Sequence, residues 1–251
     1  MIAPPEGDSE NAASFDPAHD NVFARIAGRY DLLCDIFSLF IHRHWKSRMA
    51  RRMADATGPI MLDVASGTGD IPARFLRHLV RRRGNSPSTL WVTDVCPEML
   101  ALAKAKLAGV EGVRFAHADA HDLKDIADAS IDVYSVSFGM KICDRHRAAA
   151  EAFRVLKPGG RFFCVEAARI PYAPLHWFYL RYMNWCLPVI ARIVVKGDAG
   201  AYDYLLRGIH EFPPQEHFAA ELREHGFENV SYENLTFGIV AIHVGTKPAS
   251  A

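Results

Sequence analysis

The residues best suited to chemistry in this chain lie in one short run, Leu62-Asp63-Val64-Ala65-Ser66-Gly67-Thr68-Gly69-Asp70. Asp63 offers a carboxylate that can hold a cationic group. Gly67 and Gly69 let the backbone bend sharply and come close to a ligand, which a side chain at either place would obstruct. A glycine pair is a weak signal by itself, so the residues around it decide which ligand this turn suits.

Phosphate-binding motifs are missing from this run. Position 72 is a proline, and no lysine follows the glycines, so neither a dinucleotide fingerprint nor a P-loop is present. What remains is a nucleoside ligand without phosphates, such as S-adenosylmethionine. Asp63 and the backbone from Ala65 to Gly67 are expected to hold its charged amino-acid part, with Thr68 and Gly69 completing the turn.

Further polar residues follow the ends of later strand-like runs. Asp94 is placed to accept hydrogen bonds from both ribose hydroxyls, and Asp119 with Ala120 to bind the amino group and ring nitrogen of adenine. Ser137 ends the fourth run. Each residue alone could be a helix cap or a loop residue. Together they favour a ligand site, because they fall on the edge where open α/β sheets bind ligands.

The elements that must position these residues alternate between strands and helices. Apolar runs at 60–64, 90–93, 113–117, 131–136 and 161–165 predict strands, with helices expected at 71–80, from 97 and at 147–156. Lys157-Pro158-Gly159-Gly160 predicts a tight turn before the fifth strand. After a helix at 214–225, runs at 230–234 and 238–245 predict a hairpin. The expected fold is therefore α/β, with a doubly wound, mostly parallel seven-stranded sheet and an antiparallel C-terminal hairpin.

Composition narrows the class of protein further. The chain has 251 residues, 50% of them hydrophobic, and its 29 basic residues balance its 29 acidic ones, so no nucleic-acid partner is expected. The five cysteines form no C-x-x-C pair, so we expect reduced thiols, no metal site and a cytoplasmic protein. Residues 1–20 are predicted to be a disordered tail, and residues 21–251 a single domain.

Residues 171–215 break the strand and helix alternation and predict a helical insertion that covers the substrate. It is rich in aromatic residues, among them His176-Trp177-Phe178-Tyr179, Tyr182 and Trp185. These rings could wall an apolar pocket for a small aromatic or quinol acceptor, or they could be the buried face of a helix. Peripheral contact with an inner membrane through this insertion, and a homodimer, are left open. A helix is also predicted at 199–210.

The sequence resembles the S-adenosylmethionine-dependent C-methyltransferases of ubiquinone and menaquinone biosynthesis over residues 22–248. The resemblance is carried by residues 23–31, His42-Arg43, Trp45-Lys46, 63–70, 153–161, Gly197-Asp198-Ala199, Ala201-Tyr202, Phe212-Pro213, 234–236 and 238–243. It implies a Rossmann-like class I methyltransferase fold. It also places the family's cofactor contacts on Thr68, Asp94, Asp119, Ala120 and Ser137.

The chain departs from the family's usual residues at positions expected to face the acceptor. The family usually reads Phe-Gly-Leu-Arg-Asn-Val after the fourth strand, whereas this chain has Phe138-Gly139-Met140-Lys141-Ile142-Cys143. After the next strand Glu166 matches, but Ala167-Ala168 replaces the usual Phe-Ser. Lys141 is the first catalytic candidate, either as a base or as a cation that stabilises a phenolate, with an ordinary surface lysine as the alternative.

The remaining site residues are expected from the N-terminal segment and the insertion. Tyr30 is the second catalytic candidate. Asp31, His42, Phe138, Glu166 and Tyr202 are expected in the substrate pocket, although for His42 a solvated surface histidine is the favoured alternative.

The expected reaction is methyl transfer to a ring carbon of a demethylated quinol. The alternatives are O-, N- or C-methylation of another small aromatic acceptor, and a non-catalytic accessory protein that keeps the cofactor site.

Overall fold

A computed structural model describes residues 23–56, 58, 60–83, 89–194 and 208–249. Its helices, numbered along the chain, are α1 (Tyr30–Phe37), α2 (His42–Ala54), α3 (Asp70–Arg83), α4 (Pro97–Lys106), α5 (Arg145–Val155), α6 (Ala173–Val194) and α7 (Gln215–Glu224). Its strands are β1 (Ile60–Val64), β2 (Thr89–Asp94), β3 (Val113–His117), β4 (Ile131–Ser137), β5 (Leu156–Ala167), β6 (Glu228–Leu235) and β7 (Val240–Thr246). No helix in these ranges is long and apolar enough to cross a membrane.

The seven strands form one sheet in the order β3-β2-β1-β4-β5-β7-β6. Strands β1 to β5 pair in parallel, and β7 pairs antiparallel with both β5 and β6. The predicted parallel sheet and its antiparallel hairpin are therefore confirmed. The chain order reverses beside β1, where β2 lies on one side and β4 on the other. Ligands of open α/β sheets bind at such a switch point.

Alternating side chains of the strands feed two hydrophobic cores, one on each face of the sheet. In β5, Phe163 and Val165 pack into the core that α2, α3 and α4 cover. Phe162 and Cys164 pack into the opposite core with α5 and α7. This alternation follows from the two-residue period of a strand. A sheet buried on both faces leaves its carboxyl edge as the place for a site.

Helices α1 and α2 lie over that carboxyl edge and are tied to the turn after β1. The Thr68 hydroxyl donates to Asp31 of α1 (2.7 Å). Lys46 of α2 pairs with Asp70 at the start of α3 (3.1 Å between Nζ and Oδ2). Polar contacts therefore hold the N-terminal helices against the glycine turn.

Two local predictions need correction. Lys157-Pro158-Gly159-Gly160 forms no tight turn between separate elements, because α5 ends at Val155 and β5 begins at once. These four residues form an irregularity inside β5, where the register against β4 passes from Ile131↔Leu156 to Val133↔Arg161. Helix α5 also begins two residues early, since Asp144 caps it by accepting from the N–H groups of His146 and Arg147.

Parts of the sequence prediction lie outside the described residues. They are the tail at 1–20, most of the predicted helix at 199–210, and Tyr202. Helix α6 fills the first half of the predicted insertion at 171–215.

Candidate active site

A first cavity of about 240 Å³ lies at the carboxyl ends of β1, β2 and β4. Ala65 and Gly67 come from the turn after β1, Asp94 ends β2, and Ser137 ends β4. Cys96, Pro97 and Met99 at the start of α4 close one side, and Phe23, Ala24 and Tyr30 of the N-terminal segment close another. We call this the nucleoside cavity, because four of the residues that the sequence selected for a nucleoside ligand line it.

The turn after β1 brings backbone N–H groups to the cavity. Ala65 and Gly67 have positive φ angles of 50° and 55°, and Gly67 donates its N–H to the Asp94 carboxylate (2.7 Å). A Cβ on Gly67 would meet no protein atom within 4 Å, so this side of the turn is open to a ligand.

Gly69 bends the backbone as predicted, with a φ of 79°, and it also makes room for a helix. A Cβ there would lie 3.1 Å from the Cβ of Ala103 in α4. The glycine therefore lets α4 pack against the turn, and it lines neither of the two cavities described here.

Asp94 is buried and accepts two backbone hydrogen bonds, from Gly67 and from Cys96 (2.8 Å). Burial raises the pKa of its carboxyl group, and these two donors act in the opposite direction. Each carboxylate oxygen keeps a second lone pair. Asp94 can therefore still accept hydrogen bonds from a pair of ligand hydroxyls in the nucleoside cavity.

Two buried polar atoms near this cavity lack partners. Asp63 is 1% exposed, and its Oδ1 accepts from the Ser135 hydroxyl, but its Oδ2 has no hydrogen-bond partner. Burial raises the pKa of Asp63 to about 7, although the Ser135 hydrogen bond lowers it. The Ser137 hydroxyl, on the cavity wall, is also unpartnered. Unpaired buried groups are costly in a folded protein. A ligand in the cavity would meet the Ser137 hydroxyl on its wall, whereas Asp63 lines neither cavity.

Five predicted nucleoside contacts line neither cavity: Asp63, Thr68, Gly69, Asp119 and Ala120. The Thr68 hydroxyl is engaged with Asp31 and with Lys106 of α4 (2.9 Å). Asp119 accepts from the backbone N–H of His121 (2.9 Å) and contacts its ring nitrogen (2.8 Å).

A second cavity of about 290 Å³ adjoins the first, and we call it the acceptor cavity. Its walls come from α1, α2, α6 and the ends of β5 and β7. The lining residues are mostly apolar: Ile26, Tyr30, Leu33, Cys34, Phe37, Ser38, Leu39, His42, Trp45, Lys46, Phe138, Lys141, Ala167, Tyr179, Tyr182, Met183, Ile209, Ile239 and Val240. Tyr30 and Phe138 line both cavities.

Tyr30 and Phe138 therefore lie where the two cavities meet. Phe138 adopts a left-handed backbone conformation with φ of 55°, directly after β4. The following Gly139 fits there because a Cβ would lie 2.8 Å from the Cβ of Ala65. The Cys34 thiol and burial raise the pKa of Tyr30, so its hydroxyl stays protonated and can donate a hydrogen bond.

Lys141 is held in an ion pair rather than free. Its Nζ lies 3.3 Å from Oε1 of Glu166, which is 0% exposed, and it also donates to the carbonyl of Phe138. The Lys141 backbone N–H donates to Oε2 of the same carboxylate (3.2 Å). Lys141 lines the acceptor cavity as a paired cation, so the surface-lysine alternative is wrong. Glu166 lies behind it and lines neither cavity.

Of the other predicted pocket residues, His42 lines the acceptor cavity and Asp31 does not. His42 lines the acceptor cavity and is 5% exposed, so the alternative of a solvated histidine is wrong. Asp31 lines neither cavity, because it pairs with Lys106 (2.9 Å) and Thr68.

Sequence reasoning missed Asp35, which contacts His42 Nε2 (2.9 Å) and accepts from Arg43. The sequence carries no signal for this contact, because Asp35 and His42 lie in different helices and meet only when these helices pack together.

The fold and this pair of cavities define a Rossmann-like protein that can bring a nucleoside beside an apolar acceptor. The family model described as the ubiE/COQ5 methyltransferase family matches residues 12–247. The chain belongs to this family and is a methyltransferase.

Relatives agree with that assignment. The ubiquinone/menaquinone biosynthesis C-methyltransferase UbiE of Acidiphilium cryptum is 42% identical, over 89% of this chain and 88% of that protein. The mitochondrial 2-methoxy-6-polyprenyl-1,4-benzoquinol methylase of Drosophila melanogaster is 38% identical, over 90% and 78%. A SAM-dependent methyltransferase of Thermotoga maritima shares the fold, with a TM-score of 0.58 at 16% identity, over 90% of this chain and 99% of that one.

Proposed function

We propose that this protein transfers a methyl group from S-adenosylmethionine to a ring carbon of a demethylated quinol. The observation that carries the proposal is that Tyr30 and Phe138 line both the nucleoside cavity, which holds Asp94 and Ser137, and the mostly apolar acceptor cavity. Transfer between two substrates requires their reacting atoms to meet in line at close range. A shared wall of two side chains is a suitable meeting point.

The residues of the nucleoside cavity suit S-adenosylmethionine group by group. Asp94 would accept from the ribose hydroxyls, and the open backbone at Gly67 would lie against the amino-acid part. The unpartnered Oδ2 of Asp63 would accept from its ammonium group. When bound, this cofactor supplies a methyl group that its sulfonium activates. Asp119 and Ala120 stay predictions as adenine contacts.

The acceptor cavity suits a ring with an apolar substituent. The curated name of the Drosophila melanogaster relative describes a polyprenyl benzoquinol substrate, and an apolar lining favours such a molecule. Lys141 would stabilise negative charge on a ring oxygen, because its side chain lines the cavity and carries a cation. The protonated hydroxyl of Tyr30 would donate a hydrogen bond there. These two residues would orient the ring and make it more electron-rich.

We also propose that a lipid surface meets the protein at the mouth of the acceptor cavity. Leu39 lines that cavity and is 74% exposed, so the cavity reaches the surface beside it. Four aromatic side chains that are close in sequence to the lining residues of α1 and α6 are also exposed. They are Phe40, Trp177, Phe178 and Trp185. Aromatic side chains favour the boundary between lipid and water. The fraction of protein that sediments with phospholipid vesicles should fall in the double variant Phe40→Ser, Trp185→Ser. An unchanged fraction would contradict this role.

Calorimetric titration with S-adenosylhomocysteine tests the cofactor half of the proposal. We expect micromolar binding that Asp94→Ala weakens about 100-fold, since two hydrogen bonds to a buried charge are lost. The matched control is Asp125→Ala, an exposed carboxylate that should bind like the wild type. Absence of binding in the wild type would contradict the cofactor half of the proposal.

Methyl transfer to a demethylated quinol tests the other half. Mass spectrometry of the product should locate the new methyl group on a ring carbon. A product methylated on oxygen, or activity only with other aromatic amines or phenols, would replace the quinol by the alternative acceptors.

A further inference from the structure

We propose that His42 is the general base that removes the phenolic proton of the acceptor, and that Asp35 positions it. This inference rests on the proposed function and goes beyond it by naming the group that activates the ring. Nδ1 of His42 is buried and has no hydrogen-bond partner, although this side chain lines the acceptor cavity.

The other ring nitrogen of His42 is firmly held. Nε2 lies 2.9 Å from Oδ1 of Asp35, which is itself buried in α1. A carboxylate can only accept, so Nε2 carries the hydrogen and Nδ1 keeps the lone pair in the neutral ring. Arg43 donates to both oxygens of Asp35 and fixes that carboxylate. The arrangement is an aspartate–histidine pair in which the basic nitrogen, Nδ1, has no hydrogen-bond partner.

Competing groups on the cavity wall are protonated or paired. Lys141 is paired with Glu166, and Lys46 with Asp70. Burial raises the pKa of Tyr179 to about 12 and raises the pKa of the Cys34 thiol. Among the described residues that line this cavity, His42 therefore offers the basic lone pair at neutral pH.

The charges around His42 come from three elements. Asp35 and Arg43 face it from α1 and from its own helix, while Lys46, one turn further along α2, and Asp70 of α3 act at longer range. Burial lowers the pKa of His42, Lys46 lowers it too, and the two carboxylates oppose them. The ring is therefore neutral at pH 7 and can accept a proton.

Methyl transfer to the ring carbon is coupled to two proton movements. The ring carbon forms a bond to the methyl carbon, the bond from methyl to sulfur breaks with its electron pair on sulfur, and the phenolic proton moves to Nδ1. The ring then loses the hydrogen of the methylated carbon to solvent and regains the proton from His42. One proton is released for each methyl group transferred, and no oxidant is required.

Kinetics with a short-chain demethylated hydroquinol provide the first test. General-base catalysis typically contributes 10²–10⁴-fold, so His42→Gln should lower kcat about 100-fold or more. Its affinity for S-adenosylhomocysteine should stay within about twofold. The matched control is His44→Gln, an exposed histidine on the same helix, and it should have wild-type kcat. A His42→Gln enzyme with a kcat within threefold of the wild type would overturn the assignment.

Asp35 needs a readout that a purely structural role would not change. Asp35→Asn should lower kcat more than it changes KM, and it should shift the acidic limb of the pH profile, because an amide no longer stabilises the imidazolium. Asp35→Glu should restore part of kcat. A change in KM or stability alone, with an unchanged pH profile, would make Asp35 a structural residue only.

Nitrogen NMR of the histidine rings supplies a test without turnover and without a variant. The free wild-type protein should show His42 protonated on Nε2, and adding the hydroquinol with S-adenosylhomocysteine should shift the Nδ1 signal as it gains a hydrogen bond. A hydrogen on Nδ1 in the free protein, or no shift at saturation, would overturn the proposal. A wild-type protein inactive on every quinol would instead refute the proposed function.

Discussion

The two cavities are built in opposite ways. The nucleoside cavity uses one turn and the last residues of β2 and β4, so its polar groups are fixed by the sheet itself. The acceptor cavity is assembled mostly from helices α1, α2 and α6, of which α6 lies far along the chain from the other two. Its lining is mostly apolar, and its few charges are paired, as Lys141 is with Glu166.

The nucleoside cavity would bind the cofactor that all class I relatives need, and the acceptor cavity would distinguish one acceptor from another. Sheet edges are rigid and suit a shared cofactor, whereas packed helices can change their lining without disturbing the sheet. We therefore expect mutations in the two halves to have separable effects. The departure from the usual family residues touches both cavities, because Lys141 lines the acceptor cavity and Ile142 lines the nucleoside cavity.

The largest effect should come from breaking the ion pair of the acceptor cavity. Lys141→Met leaves the fully buried Glu166 without its cation, and an unpaired buried charge costs about 3 kcal/mol. That loss corresponds to a fall in Tm of about 10 °C for a domain of this size. The double variant Lys141→Met with Glu166→Gln should regain most of it, and Lys104→Met, at an exposed lysine, should lose nothing. Equal stability of both Lys141 variants would contradict a structural pair.

The two glycines of the turn should respond differently to alanine. Gly67→Ala adds a Cβ that meets no protein atom and costs roughly 1 kcal/mol of stability for its left-handed backbone. It should weaken S-adenosylhomocysteine binding about tenfold, because the methyl group faces the ligand. Gly69→Ala, crowded against Ala103, should lose more stability and less affinity. Calorimetry and thermal melts check both, and the reverse pattern would exchange the roles of the two glycines.

A polar substitution deep in the acceptor cavity should affect the acceptor alone. Met183 is buried on its wall, and Met183→Gln should raise the KM for the quinol about tenfold, because an amide loses its water there. Met183→Leu keeps the wall apolar and should stay within about twofold of the wild type. If Met183→Gln weakened S-adenosylhomocysteine binding equally, the division into two cavities would be wrong.

The smallest effect is a pH dependence of cofactor binding. The pKa of Asp63 is about 7 in the free protein, and a cationic amino group at Oδ2 would lower it in the complex. Binding then releases a proton below that pKa, so affinity should rise several-fold from about pH 6 to about pH 8 and then level off. Asp63→Asn should remove this rise, and Asp125→Asn should keep it. A slope unchanged in Asp63→Asn would exclude the contact.

The sheet could be predicted because its signals are local. Apolar runs with a strand period, each ending at a polar turn, gave five parallel strands and the hairpin, and Asp94 and Ser137 were recognised by their place at strand ends. Parallel strands share one carboxyl edge, so position along the strand determines position in the site.

The helical half could not be predicted in this way. Two contacts depend on how α1 and α2 pack on the sheet. Asp31 pairs with Lys106, 75 residues away, and His42 is buried against Asp35. The role of Gly69 likewise depends on its neighbour Ala103 in α4. Tertiary contacts of this kind leave no periodic signal in the sequence.

The most direct test of two cavities with one shared wall is a crystal structure with S-adenosylhomocysteine and a short-chain hydroquinol bound together. The account predicts the adenosyl group against Asp94, the ring in the cavity of Met183 and His42, and the sulfur facing the ring past Tyr30 and Phe138. A hydroquinol bound elsewhere, or a ring separated from the sulfur by these two side chains, would contradict it.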